Sequence, residues 1–131
     1  MDERKGLRST HLARLRKIMP HHIGRQRAIG MGELFEDVFG RPWQNRINDT
    51  RALRHLITEA RREGDPICSD TSSSGGGYFY AAASSELEEF CALFRRRAIR
   101  SLMTESRIRK ISLPELLGQM QLRLKEGKDA A

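Results

Sequence analysis

Residues Ile47–Ala82 read INDTRALRHLITEARREGDPICSDTSSSGGGYFYAA, and this stretch decides the fold of the chain. Its first half carries four aliphatic side chains at i, i+3, i+4 and i+7, a spacing that places them on one face of a helix: Leu53, Leu56, Ile57 and Ala60. Gly64 supplies the left-handed position that often ends a helix, and Pro66 prevents its continuation. We therefore predict a helix over residues 49–63, capped by Asn48 or Asp49.

Two short apolar segments follow this helix. Pro66–Ser69 and Tyr78–Ala82 contain the β-branched and aromatic residues favoured in strands, and the Ser/Gly-rich run Thr71–Gly77 between them is typical of a flexible turn. We predict a β-hairpin here, with Ala28–Gly30 as a short third strand. The alternative is a plain helical bundle in which residues 66–82 form only a loop.

Upstream of residue 47 the periodicity predicts two further helices. The first covers His11–Met19, with Thr10 as its N-cap, and is closed by Pro20. The second is ended by Gly40 and has an inward face at i, i+3, i+4, i+7: Met31, Leu34, Phe35 and Val38. The turn Arg41–Arg46 then contains Trp43, which is either a lid on the core or a stacking platform.

Downstream, two capping boxes predict two amphipathic helices. Ser85 with Glu88 opens a helix whose apolar stripe is Leu87, Phe90, Cys91, Phe94, Ala98 and Leu102. Ser112 with Glu115 opens another, with Leu113, Leu116, Leu117, Met120 and Leu124 on one face. The predicted fold is mainly α with a small β-hairpin. It divides into a basic flexible N-terminus (1–9), a core domain (10–83), a helical extension (84–125) and a flexible tail (126–131).

The charge of the chain indicates a polyanionic partner. Among 131 residues, 24 Lys and Arg oppose 17 Asp and Glu, for a net charge of +7. Residues 1–30 hold 8 basic and 2 acidic residues, whereas no Lys or Arg occurs between Gly64 and Phe94. We therefore expect the N-terminal third and the arginine-rich helix to make most contacts with phosphate.

No apolar run approaches the about 20 residues of a membrane span, and no secretory signal is visible. Cys68 and Cys91 are expected to be buried thiols in a reducing cytosol, with a disulfide between them as the minor alternative.

A resemblance to a known group is carried by Gly24-Arg25…Ala28-Ile29 with Leu34, by Arg51-x-Leu53-Arg54-x-Leu56-Ile57-x-x-Ala60-Arg61-x-x-Gly64-x-Pro66-Ile67-Cys68-Ser69, and by Gly77-Tyr78-Phe79-x-Ala81. In this order the segments resemble the winged helix-turn-helix proteins of phages and prophages, which are similar in pattern to the DNA-binding domain of the biotin repressor. The resemblance implies a sequence-specific regulator that binds double-stranded DNA in the cytoplasm of a bacterial or phage-infected cell, without catalysis or cofactor. The chain departs from the pattern of the group in two places: the turn Arg41–Arg46 is long, and the hairpin contains no basic residue.

The predicted recognition helix would read bases with its N-terminal half and outward face. The candidates for base contacts are Asn48, Thr50, Arg51, Arg54, His55 and Thr58. The candidates for phosphate contacts are Arg25, Arg27, Arg46, Arg61 and Arg62. The competing interpretation is a solvated helix face, with the arginines paired to acids such as Glu59 and Glu63. Likewise, Arg95–Arg97 with Arg100 is either a second phosphate patch or the wet face of a helix.

Other functions are less favoured by the sequence. No nucleophile–base order or phosphate-binding glycine loop is present, so we expect no enzyme and no small-molecule substrate. His21, His22, Cys68 and Cys91 lack the paired spacing of zinc ligands, so no metal is expected. The main alternative to DNA binding is an adaptor that binds another protein, a function that the acidic second helix and the hairpin without basic residues favour. RNA binding is disfavoured because few aromatic residues are expected to be exposed. A homodimer through the C-terminal helices is expected if paired half-sites are read.

Overall fold

The computed structural model describes residues 3–70 and 76–127, and the chain divides into two compact units, residues 1–90 and 91–131. Five helices and two strands follow one another: α1 (Glu3–Ile18), α2 (Met31–Phe39), α3 (Arg46–Arg62), β1 (Ile67–Asp70), β2 (Gly77–Tyr80), α4 (Ser84–Arg109) and α5 (Leu113–Gly127). The division into units falls inside α4 rather than before it. Most of the predicted turn Thr71–Gly77 and of the predicted tail 126–131 lies outside the described residues.

The core of the first unit is formed by α1, α2, α3 and the hairpin. The predicted apolar faces of α2 and α3 are buried, except that Met31 is only partly buried, and Leu12, Leu15 and Met19 of the first helical segment are buried too. Gly40 ends α2 at a φ of 69°, as predicted. Gly64 follows α3 at a φ of 103°, and two hydrogen bonds close the helix end there: Gly64 N–H to the Arg61 carbonyl and Asp65 N–H to the Ala60 carbonyl. These two bonds form a Schellman motif, which directs the chain into the hairpin.

The first helix begins much earlier than predicted. It starts at Glu3, so most of the segment predicted as a flexible N-terminus is helical. Thr10 lies inside α1, where its hydroxyl donates to the Gly6 carbonyl at 2.9 Å, and the prediction of an N-cap at Thr10 was wrong. The extra turns are held by tertiary contact, since Arg8 forms an ion pair with the buried Glu59 of α3.

The hairpin is a two-stranded antiparallel sheet in which Cys68 pairs with Phe79 and Ser69 with Tyr78. This pairing excludes the alternative in which residues 66–82 are only a loop. Ile29 adds an isolated antiparallel bridge to Tyr78, with backbone hydrogen bonds of 2.8 and 2.9 Å. The predicted third strand is therefore reduced to one bridge at residue 29. Ile67 and Tyr78 pack into the core, so the hairpin is fixed to the three helices.

The second unit contains residues 91–109 of α4, and α5. Lys110 adopts a φ of 59° between the helices, and the Ser112 hydroxyl accepts the Glu115 N–H at 3.1 Å, as predicted for the start of α5. Cys68 and Cys91 form no disulfide, and Cys91 is exposed, so the expectation that both are buried was wrong for Cys91. The predicted stripes are only partly covered, and several large apolar side chains of this unit are exposed: Phe94, Ile99, Met103, Ile108, Leu117, Leu122 and Leu124. Among the described residues, no helix has the length and apolar content to cross a membrane.

Candidate nucleic-acid interface

The start of α3 is set by two side chains that satisfy backbone N–H groups. Asn45 is the N-cap, and its Oδ1 accepts the Asn48 N–H at 3.0 Å, so the predicted caps, Asn48 and Asp49, were wrong. Asp49 is instead buried one turn inside the helix, where Oδ2 accepts the N–H groups of Gln44 (3.2 Å) and Asn45 (3.0 Å). Its Oδ1 accepts from Arg41 Nη1 at 3.0 Å. Burial tends to raise the pKa of Asp49, but the hydrogen bonds from Asn45, Arg41 and Gln44 outweigh it and hold the pKa below its ordinary value.

The long turn before α3 is organised by Trp43, which is partly buried and packs against the core, as the first of the two interpretations predicts. Its backbone N–H donates to Glu36 Oε2 at 3.1 Å, and its indole Nε1 donates to Thr50 Oγ1 at 3.3 Å. The ring lies against Gly32, where an added Cβ would be 2.5 Å from Cε3. Thr50, a predicted base contact in the N-terminal half of α3, is therefore half-buried and engaged with Trp43.

The outward face of α3 is exposed along its length. Five of the predicted contact residues lie on it with exposed side chains: Arg51, Arg54, His55, Thr58 and Arg62. His55 Nε2 lies 3.1 Å from Glu59 Oε1, and the Thr58 hydroxyl donates to the Arg54 carbonyl at 2.9 Å. Within the described residues, neither Arg51 nor Arg54 forms an ion pair, so the acid pairing of the competing interpretation is not seen at these two arginines.

A shallow concavity lies at the N-terminal half of α3. Its lining consists of Arg46, Ile47, Thr50, Arg51 and Arg54. Arg46 also lies over the Trp43 ring, with 5.5 Å between its Cζ atom and the ring centroid. Ile47 is 72% exposed and was not among the predicted contact residues. The exposure of Ile47 could have been predicted from the sequence, because this residue lies outside the repeat of apolar residues that α3 buries in the core. An isoleucine at such a position faces solvent or a partner.

Arg61 does not belong to the outward face. Its Nε donates to the Ile67 carbonyl at 2.8 Å, and its Nη2 donates to Ser69 Oγ at 2.8 Å. The guanidinium also lies 4.8 Å from the centroid of the Phe90 ring. Arg61 therefore fastens α3 to β1, and the expectation that it extends towards phosphate is corrected.

Arg25 is likewise engaged by acidic residues. Its backbone N–H donates to Glu86 Oε2 at 3.1 Å, and its Nη2 lies 3.3 Å from Glu89 Oε1. Glu86 also accepts the Ala82 N–H at 2.8 Å, so this carboxylate, rather than the predicted Ser85–Glu88 box, caps the start of α4. The hydrogen bonds from Ala82 and Arg25 lower the pKa of Glu86. Of the other predicted phosphate contacts, Arg27, Arg46 and Arg62 are exposed.

The arginines of α1 are mostly used inside the first unit. Arg14 Nη1 donates to the Val38 carbonyl at 3.2 Å. Arg16 pairs with Glu63 at 3.2 Å and with Asp65 at 3.0 Å, and these carboxylates raise the pKa of Arg16. With Arg8 paired to Glu59 and Arg25 to Glu89, four of the basic residues in the N-terminal third already have partners. The expectation that this third makes most of the phosphate contacts is therefore corrected for Arg8, Arg14 and Arg16.

The elements on either side of α3 in the chain, α2 and the hairpin, carry little positive charge. Glu33, Glu36 and Asp37 of α2 are exposed, and the described part of the hairpin contains no Lys or Arg. Within residues 3–70 and 76–127, no three His, Cys, Asp or Glu side chains lie close enough to hold a metal ion. Of the basic residues of α3, Arg46, Arg51, Arg54 and Arg62 are exposed, at its start and on its outward face.

Comparison of the chain with protein-family models, with curated proteins and with solved structures found no match.

Proposed function

We propose that the first unit is a winged helix-turn-helix domain that binds double-stranded DNA sequence-specifically through the major groove. The order of its elements supports this proposal: α1, a bridge at Ile29, α2, α3 and then a hairpin. In such domains the helix that precedes the hairpin enters the major groove. α3 is that helix, and its 17 residues make it about 25 Å long.

One observation carries the proposal. α3 buries Leu53, Leu56 and Ile57 in the core while Arg51 and Arg54 remain exposed on the opposite side. An arginine that has no acidic partner keeps its planar set of donors available for the O6 and N7 atoms of a guanine, a contact worth about 1–3 kcal/mol of base discrimination.

The start of α3 and its outward face supply the rest of the proposed readout. Arg51 is the proposed guanine contact, with Arg54, Asn48, His55 and Thr58 as further base contacts. Ile47 stands exposed beside Arg51, and its apolar side chain suits the methyl group of thymine. Arg27, Arg46 and Arg62 are the proposed phosphate contacts in this unit.

The biological role we propose is that of a transcriptional or replication-associated regulator, as in the phage and prophage proteins that the sequence resembles. In this role the protein acts in the cytoplasm of a bacterial cell, performs no catalysis and uses no cofactor. A homodimer would place two copies of α3 on paired half-sites. The exposed apolar side chains of the second unit, such as Leu117, Leu122 and Leu124, support self-association.

The proposal is tested by selecting bound sequences from a pool of random duplexes. We expect a defined motif of a few base pairs, and a selected duplex that binds about 10³-fold or more tightly than a scrambled one at the same salt concentration. Recovery of unselected sequences, or absence of retention on duplex DNA at 50 mM salt, would overturn the proposal.

A second candidate is an adaptor that binds another protein through the same unit. The exposed Glu33, Glu36 and Asp37 favour it, because a negative α2 repels a phosphate backbone. The same selection separates the candidates, since an adaptor yields no motif.

A further inference from the structure

The net positive charge of the chain is concentrated in its second unit. Residues 91–131 contain 10 Lys and Arg and 4 Asp and Glu, a net charge of +6. Residues 1–90 contain 14 basic and 13 acidic residues, a net charge of only +1. Nearly all of the unbalanced charge therefore lies outside the unit that contains α3.

Acidic residues neutralise the basic residues of the first unit locally, and such pairing is scarce in the second. Arg8, Arg16 and Arg25 each pair with at least one carboxylate of the first unit. Among residues 91–127, one ion pair is formed, between Arg109 and Glu105 at 2.7 Å. The remaining arginines of this part of α4 are exposed. Their positive charges repel one another, and a bound polyanion would reduce this repulsion.

Three of these arginines share one face of α4. Arg96, Arg100 and Arg107 are separated by four and seven residues, a spacing that aligns side chains along a helix. All three are exposed, and none forms an ion pair within the described residues. They span about 16 Å of helix axis. A DNA duplex presents one phosphate per about 1.7 Å of its axis, so each guanidinium can find a phosphate along such a length.

We propose that this arginine stripe, Arg96, Arg100 and Arg107, is a second DNA contact that binds the phosphate backbone of a duplex regardless of its sequence. The positive charge of the stripe favours a polyanionic partner, and guanidiniums pair well with the phosphate oxygens of a duplex. The stripe adds affinity and salt dependence, whereas α3 supplies discrimination between sequences. The inference does not depend on α3 entering the groove.

The face of α4 opposite the stripe argues against a membrane as the partner. A helix that binds a lipid surface needs an apolar face opposite its basic one. In this part of α4 the opposite face carries Arg95, Glu105 and Arg109 beside Ala98 and Leu102. Charged side chains at these positions would have to enter the acyl region together with the apolar ones.

The test compares two triple variants of the full chain with equal loss of charge. The first is Arg96→Gln, Arg100→Gln and Arg107→Gln. The control is Lys5→Gln, Lys17→Gln and Lys125→Gln, at exposed lysines that are not part of the stripe. Fluorescence anisotropy measures the affinity of each protein for a labelled duplex of scrambled sequence between 50 and 200 mM KCl. Far-UV circular dichroism checks that helix content is unchanged.

We expect the stripe variant to lower the slope of log Kd against log[KCl] by about 2 to 3, since each lost phosphate contact removes about 0.9. Raising KCl from 50 to 200 mM increases the Kd of each protein by some factor. That factor should be roughly 40 times larger for the wild type than for the stripe variant. The control should lower the slope by less than about 1. An equal change in both variants, or no change in the stripe variant, would overturn the proposal.

Two further measurements keep the outcomes distinct. Binding to vesicles of phosphatidylserine and phosphatidylcholine that the stripe variant abolishes, while its slope on the duplex stays at the wild-type value, would assign the stripe to a lipid surface and overturn the proposal. Failure of the proposed function has a different signature. If selection yields no motif but the slope still falls in the stripe variant alone, the backbone contact stands without sequence recognition by α3.

Discussion

Arg41, in the turn that joins α2 to α3, forms an ion pair with Asp49 in the first turns of α3, with an N–O distance of 3.0 Å. The same carboxylate accepts the N–H groups of Gln44 and Asn45, so the unusually long turn is anchored to the first turns of α3. Asp49 is buried at 4% exposure, and no other carboxylate contacts these donors among the described residues. The position of Arg51 and Arg54 therefore depends on a buried acid that holds the turn before α3 in place.

We predict that Asp49→Asn lowers the midpoint of thermal unfolding by several degrees and weakens binding to a selected duplex. The amide cannot accept all the hydrogen bonds of the carboxylate. Because the folded pKa of Asp49 is depressed, its contribution to stability is complete above the unfolded pKa of about 3.9 and is lost as pH falls through the lower folded pKa. The difference in midpoint between the wild type and the variant should therefore be largest near neutral pH and shrink below about pH 4. A difference that does not change with pH would contradict this role.

The contact between Gly32 and Trp43 leads to a second prediction. Gly32→Ala places a Cβ 2.5 Å from the indole Cε3, so the ring must move and the variant should lose about 1–3 kcal/mol of unfolding free energy. Urea denaturation followed by the fluorescence of Trp43, the single tryptophan of the chain, measures both the loss and the altered ring environment. Gly30→Ala is the matched control, since nothing lies within 4 Å of a Cβ there. Equal effects of the two substitutions would exclude the clash as the cause.

His11 should make the first unit less stable in mild acid. Its ring lies 4.4 Å from the ring of Phe39, and burial together with the positive charges of Arg14 and Arg41 lowers its pKa. The unfolded chain then binds a proton more readily than the folded one, so stability falls as pH decreases through about 6.5 towards the lower folded pKa. His11→Phe keeps an aromatic ring and removes the titration. The midpoint of thermal unfolding should fall less between about pH 7.5 and pH 5 in the variant than in the wild type; an identical fall would refute the prediction.

Arg61 and Arg62 are adjacent in sequence but should behave differently. Arg61→Ala removes donors to the Ile67 carbonyl and Ser69, so we expect a loss of about 1.5–3 kcal/mol, the range for hydrogen bonds from a charged group. Arg62→Ala, at an exposed position, should change stability by less than about 0.5 kcal/mol and lower the salt slope for duplex binding by about 0.9. Urea denaturation and anisotropy measure the two quantities. If Arg61→Ala lowered the salt slope without lowering stability, Arg61 would be a phosphate contact, as the sequence predicted, and this prediction would be contradicted.

Local patterns in the sequence predicted much of this fold because they need no tertiary context. The aliphatic period of α3, the stop at Gly64 and the apolar segments around Cys68 and Phe79 are each readable over a few residues, and all three were confirmed. The same holds for the start of α5 at Ser112, whose hydroxyl accepts an N–H three residues later.

The parts that could not be predicted depend on partners distant in sequence. The early start of α1 goes with the ion pair of Arg8 to Glu59, and Asp49 could be identified as an anchor only from the fold of the turn before it. For the same reason, residue type does not separate an arginine available for DNA from one that supports the structure. Arg51 and Arg61 look alike in the sequence, yet one is exposed and the other fastens the hairpin.

The central claim, that the outward face of α3 contacts the bases, is tested most directly by replacing Arg51 and Arg54. Arg51→Ala with Arg54→Ala should reduce the ratio of affinities for selected and scrambled duplexes by 10-fold or more, about 1–3 kcal/mol per lost base contact. The control Arg95→Ala with Arg97→Ala removes the same charge from the second unit and should leave that ratio unchanged. A double variant at residues 51 and 54 that weakens binding to both duplexes equally, or not at all, would contradict the account.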